Sequence, residues 1–175
     1  MTNNLNLGKI HIYTGDGKGK TTAAIGLALR AAGAGFKVCL IQFLKARTSA
    51  ELILLDKVKN IKIFRFGNKQ YIYKKAKPAD KNKALQALQK SQEIIKSKKY
   101  NLVILDEINL AKFFNLITEQ QLVQIIKNKP KNLELVLTGR KFDKKIIKLA
   151  DYVTEMKEIK HPYKSGLLAR KGIEY

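Results

Sequence analysis

Apolar and polar positions along the chain follow two rhythms. Short apolar runs at 9–13, 37–43, 61–65, 102–105, 133–137 and 152–156 read as strands. Between them the spacing turns helical. A helix is expected over about 21–32, stopped by Gly33 and Gly35. Thr48 with Glu51 makes a capping-box pattern ahead of Leu52, Leu54 and Leu55, and Thr118 with Gln121 makes another ahead of Leu122, Val123, Ile125 and Ile126. Ala84, Leu88, Ser91 and Ile95 recur at helical spacing, and Asp143 is placed to cap a short helix running to Leu149. Residues 66–78 are basic and aromatic without a clear period. The run 102–105 is apolar throughout, as expected of a strand covered on both faces. Strands alternating with helices predict an α/β fold: a mainly parallel sheet of about six strands with helices on both faces. One domain spanning 1–175 is expected from the length.

Composition narrows the class. Hydrophobic residues make up 45% and charged residues 28%, which is globular. No apolar run approaches a membrane span, and the first nine residues are polar, without a signal-peptide stretch. Cys39 is the only cysteine, so neither an intrachain disulfide nor a cysteine-based zinc site is available. A cytoplasmic protein without a membrane partner is expected.

The formal net charge is +21, which attracts polyanions and raises a nucleic-acid-binding module as one reading. The basic residues are 30 Lys and 5 Arg, spread along the chain beside 19 Ile and 11 Asn. That excess is what an AT-rich coding sequence yields, so compositional drift is favoured and no specific nucleic-acid partner is expected.

The most informative segment runs Thr14-Gly15-Asp16-Gly17-Lys18-Gly19-Lys20-Thr21-Thr22, between a strand and a helix. Glycines let successive backbone N–H groups converge on phosphate oxygens, and a helix N-terminus adds partial positive charge. Lys20 supplies a full charge, and the Thr21 hydroxyl is placed to reach a bound Mg2+ or Mn2+. The usual phosphate-loop pattern begins with glycine where this chain has Thr14. On such a sheet the loop makes the fold P-loop NTPase-like, of the RecA-like kind. A second motif, Leu102-Val103-Ile104-Leu105-Asp106-Glu107, ends an apolar strand in two acids at the carboxyl edge, where open α/β sheets bind ligands. Asp106 or Glu107 completes a metal site with Thr21 and the phosphates. These motifs define nucleotide binding, not the reaction; an ordinary P-loop ATPase or kinase is the rival reading.

Further segments discriminate: Gln42-Phe43-Leu44-Lys45, Leu105 to Asn109, Thr138-Gly139-Arg140, Lys160-His161-Pro162-Tyr163 with Gly166, and Gly172-Ile173-Glu174-Tyr175. In this order they resemble the ATP:corrinoid adenosyltransferases of the CobA, CobO and BtuR family, from about Gly8 to Tyr175. The resemblance implies attack of a corrinoid's cobalt(I) on the ribose C5′ of ATP, with release of inorganic triphosphate, in adenosylcobalamin synthesis or salvage. ATP then lies reversed in the loop relative to ordinary ATPases. Cobalt(I) has no proton to lose, so no general base is needed, and the work falls on positioning and on stabilising the polyphosphate.

Under this resemblance Lys20, Thr21, Glu107 and Arg140 are the catalytic candidates. Gly15, Asp16, Gly17, Lys18, Gly19, Lys20, Thr21, Thr22, Arg30 and His161 bind the nucleotide or anchor its site, and Thr21, Asp106 and Glu107 are the metal candidates. The family's corrinoid-facing aromatic pair, which displaces the lower cobalt ligand, corresponds to Tyr71 and Tyr73. This chain departs there, in a stretch one residue longer and without the second glycine and acid, and it has Ala46 where the family has glycine. The N-terminal extension of many members is nearly absent. The resemblance also implies a homodimer and an electron-donating reductase such as a flavoprotein.

Overall fold

A computed structural model describes residues 7–45, 49–68, 72 and 76–174. Six strands, β1 (Ile10–Thr14), β2 (Val38–Phe43), β3 (Ile61–Phe66), β4 (Leu102–Asp106), β5 (Glu134–Thr138) and β6 (Tyr152–Glu155), form one sheet in the order β3-β2-β4-β5-β1-β6. Every pairing is parallel. Parallel neighbours need crossovers, and these are helical: α1 (Lys20–Gly33), α2 (Ala50–Leu55), α3 (Pro78–Lys96), α4 (Ile108–Phe113), α5 (Glu119–Lys127) and α6 (Lys144–Ile147). The expected α/β sheet with helices on both faces is what the chain forms.

Side chains alternate across the pleat, so each strand feeds two cores. Cys39, Ile41, Val103, Leu105, Leu135 and Leu137 face Ala84, Leu88 and Ile95 of α3 and Leu122, Ile125 and Ile126 of α5. Val38, Leu40, Leu102, Ile104 and Val136 face Ala24, Ile25 and Ala28 of α1 and Leu52 and Leu55 of α2. All of β2 and β4 is buried, whereas β6 is exposed along its whole length. None of the described helices is long and apolar enough to cross a membrane.

The structure shifts strand ends by about one residue and adds elements. The α4 helix was not expected, because no capping residue announces it: Glu107 turns the chain from β4 straight into α4 in a left-handed conformation, φ 60°. A 3-10 turn, Pro162–Ser165, is likewise additional. The N-cap of α2 is Ser49; Thr48 of the expected capping box lies outside the described residues. Thr118 and Gln121 form their capping box as expected, Gln121 N donating to Thr118 Oγ1 at 3.1 Å and Thr118 N to Gln121 Oε1 at 2.8 Å. Asp143 is the N-cap of α6, but its carboxylate pairs with Lys112 and makes no side-chain cap.

Candidate active site

The loop after β1 is built on backbone contacts that only glycines permit. Gly17 N donates to Met156 O at 2.7 Å, just beyond β6. A Cβ on Gly17 would stand 2.6 Å from that carbonyl oxygen, and one on Gly15 (φ +98°) would also run into the Met156 backbone. Gly19, at φ +113°, is the N-cap of α1. The unpaired N–H groups of the first turn of α1 therefore open onto the loop, the arrangement that binds anions. Lys20 is buried, and its Nζ donates to Gly15 O at 2.7 Å and Gly17 O at 2.6 Å. Burial, reinforced by Arg140, lowers its pKa against the pull of Glu107, Asp16 and Asp106. Asp16 is exposed on the loop and Thr22 in the first turn of α1.

The sheet order brings a second group to the same edge. Gln42 on β2 is in register with Asp106 on β4, and Thr138 ends β5 between β4 and β1. Asp106 is fully buried. Its Oδ1 accepts from Thr21 Oγ1 at 2.9 Å and from Thr138 Oγ1 at 2.7 Å. Its Oδ2 accepts from Gln42 Nε2 at 2.9 Å and from Lys45 Nζ at 2.8 Å. Burial alone would raise the Asp106 pKa; the Lys45 ammonium and the Thr138 and Thr21 hydroxyls hold it below the usual carboxylate range. Burial, with the Asp106 charge beside it, pushes the Glu107 carboxyl up. Glu107 N is bonded to Thr138 Oγ1 at 2.9 Å. Arg140 reaches Asp16 across the loop at 3.4 Å, and its carbonyl oxygen accepts from Asn109 Nδ2 at 2.6 Å. Sequence reasoning gave no role to Gln42, Lys45, Asn109 or Thr138. Their signal was a polar residue at or just beyond the end of an apolar strand, the same signal that marked Asp106.

The donor set fits a hard divalent cation. Thr21 and Asp106 offer oxygens 2.9 Å apart, and Gln42 Oε1 is a buried acceptor with no partner among the described residues. No cluster of three or more His, Cys, Asp or Glu among the described residues makes a metal site on its own. Mg2+ commonly binds through one or two protein oxygens together with phosphate oxygens.

Comparison with known proteins bears on which nucleotide chemistry this edge performs. Residues 6–175 match the family model for ATP:corrinoid adenosyltransferase BtuR/CobO/CobP. The chain is 35% identical to a corrinoid adenosyltransferase of Sinorhizobium sp, over 96% of this chain and 80% of that one. It is 31% identical to a corrinoid adenosyltransferase of Pseudomonas aeruginosa, over 96% and 84%, and 30% identical to one of Escherichia coli, over 96% and 86%. The chain belongs to the ATP:corrinoid adenosyltransferase family.

The remaining residues singled out by that resemblance fall in different places. The adenosyltransferase tail returns to the loop: Lys18 Nζ donates to Glu174 Oε1 at 2.8 Å, and Glu174 is also held by Arg170. Those bonds hold the Glu174 carboxyl far below its usual range. Arg30 lies in the last turn of α1, about 15 Å along the helix from Lys20 at 1.5 Å per residue, and is exposed. It is not brought to the loop; burial raises the pKa of Tyr13, and the Arg30 charge offsets part of that rise. His161 accepts from Tyr163 N at 3.2 Å in the tail turn. Tyr71 and Tyr73, the aromatic pair expected to face the corrinoid, lie outside the described residues.

Proposed function

We propose that this chain transfers the 5′-deoxyadenosyl group of ATP to the cobalt(I) of a corrinoid and releases inorganic triphosphate. One observation carries the reading. A glycine-built phosphate loop with a buried lysine stands beside the Thr21–Asp106 pair, in a chain that belongs to the adenosyltransferase family over nearly its whole length.

In the step, the cobalt(I) lone pair attacks C5′. The cobalt–carbon bond forms as the C5′–O bond breaks, its electron pair leaves on the triphosphate, and cobalt becomes formally cobalt(III). No proton is removed. His11 is paired with Glu134 at the opposite edge of the sheet, and His161 accepts from Tyr163 N in the tail. Lys20 and the N–H groups of the first turn of α1 hold the triphosphate, and Lys18 and Arg140 face the charge that develops on it. Thr21 and Asp106, with Glu107 beside them, would hold Mg2+ or Mn2+, which would supply Lewis-acid neutralisation of phosphate charge.

The reading extends to a corrinoid side in which Tyr71 and Tyr73 displace the lower cobalt ligand, and to His161 as an anchor of the nucleotide site from the tail. A flavoprotein-type reductase supplies the electrons, and the enzyme works as a cytoplasmic homodimer. The exposed Val153, Leu167, Leu168 and Ile173 on β6 and the tail support self-association, and the lone buried Cys39 suits a reducing compartment.

Product analysis tests the proposal. With ATP, Mg2+ and chemically reduced cobalamin under anaerobic conditions, loss of the cobalt(I) absorbance should match inorganic triphosphate one to one. Release of ADP without any need for cobalamin would instead mark an ordinary ATPase.

A further inference from the structure

Lys45 stands in an unusual place. It follows Leu44, whose φ of 56° is left-handed and rare for a bulky residue. The turn is buttressed from β3: a Cβ on Gly67 would stand 2.5 Å from Lys45 N and 2.7 Å from Leu44 C. This backbone turns Lys45 inward at the carboxyl edge. Its Nζ donates to Thr21 Oγ1 at 3.0 Å and to Asp106 Oδ2 at 2.8 Å. The side chain is 29% exposed while its partner Asp106 is fully buried, so the ammonium closes the pair from the solvent side.

We propose that Lys45 is a built-in counter-ion that keeps the Thr21–Asp106 pair closed to a bare cation and releases it when the metal arrives with the nucleotide. This deepens the proposed function and rests on its reading of Thr21 and Asp106 as the metal-holding pair. A divalent ion and an ammonium cannot share the same two oxygens, because like charges a few ångströms apart repel strongly at partly buried sites. In the nucleotide-free enzyme the buried Asp106 carboxylate needs a cation, and Lys45 supplies it without ordering an ion. An arriving triphosphate brings both negative charge and further oxygen ligands. The flexible four-carbon stem of Lys45 lets its ammonium withdraw toward those phosphate oxygens. Lys45 is thus a positioning residue that orders the binding events, nucleotide and metal entering together.

The test uses Mn2+ alone, without nucleotide, with free Mn2+ read by electron paramagnetic resonance. Lys45→Gln should bind one Mn2+ about tenfold or more tightly than wild type, and Lys45→Arg, which keeps the charge, should stay near wild type. Adding Asp106→Asn to Lys45→Gln should remove the gain. No tightening in Lys45→Gln overturns the proposal while leaving the metal-holding pair intact, provided Asp106→Asn alone still weakens Mn2+ binding in the presence of ATP. A tightened site that survives Asp106→Asn places the ion elsewhere, and then the pair's reading and the proposal both fail. If Lys45→Gln does not fold, amine labelling of wild type decides. Millimolar Mn2+ alone should leave the rate of Lys45 modification unchanged and Mn2+ with ATP should change it; a change with Mn2+ alone, or none with Mn2+ and ATP, overturns the proposal.

Discussion

The two edges of the parallel sheet both carry polar clusters, and they spend their hydrogen bonds differently. At the amino edge, side chains satisfy backbone. Glu134 accepts from Gly8 N at 2.7 Å and Lys9 N at 2.9 Å, besides pairing with His11 at 2.6 Å. Lys129 donates to the carbonyls of Gly8, Pro130 and Leu133, and Asp151 accepts from Ile10 N. At the carboxyl edge, side chains satisfy one another around Asp106, and Gln42 Oε1 and Asn109 Oδ1 are buried without partners among the described residues. A cluster that closes the ends of strands holds the fold together. A cluster that leaves acceptors open and gathers charge beside a phosphate loop is arranged for something that comes and goes.

Substitutions at the two edges should therefore separate activity from stability. The largest effect is expected at Lys20. Lys20→Ala should lower adenosyl transfer by 10² or more, on the order of losing one key electrostatic contact in the transition state, while the thermal midpoint stays near wild type. Unchanged turnover would remove Lys20 from the site. Gly17→Ala comes next: the new Cβ meets the Met156 and Lys157 carbonyls at 2.6–2.8 Å, so the loop must shift. ATP affinity, followed by calorimetry, should fall about tenfold, a loss of about 1.4 kcal/mol.

The amino edge should behave in the opposite way. Glu134→Ala strands two backbone amides and His11, and should cost about 1–3 kcal/mol of stability in a denaturant titration, with turnover per folded molecule kept. A loss of turnover with intact stability would dissolve the contrast between the edges. The smallest effect is on pH. Burial opposes ionisation of Glu134, but His11 and the Gly8 and Lys9 amides overrule it and its pKa is lowered; Asp151 is lowered chiefly by the Ile10 amide. Each contributes stability that is fully present above the unfolded-state values near 4 and is lost as pH falls through the lower folded values. Thermal midpoints between roughly pH 6 and 3 should fall less steeply for Glu134→Gln than for wild type, and an unaltered slope would contradict the assignment.

Much of this was legible in the sequence, for a physical reason. Strand periodicity and capping boxes are local, so the six strands and the Thr118–Gln121 cap could be read directly, and the glycines and lysines of Gly15 to Thr22, between a strand and a helix, singled out the loop after β1. What stayed hidden depends on strand order. Gln42 and Lys45 meet Asp106 only because β2 lies beside β4, 64 and 61 residues apart in sequence. Glu174 meets Lys18 across 156 residues. The α4 helix escaped because its entry is a single left-handed glutamate instead of a capping residue.

The most direct test follows the carbon that moves. With ATP labelled with carbon-13 at C5′ and pre-reduced cobalamin, a single anaerobic turnover should place the label on cobalt, seen by nuclear magnetic resonance, with one triphosphate released per label transferred. A label that stays in ADP or unreacted ATP while phosphate is released would contradict the account.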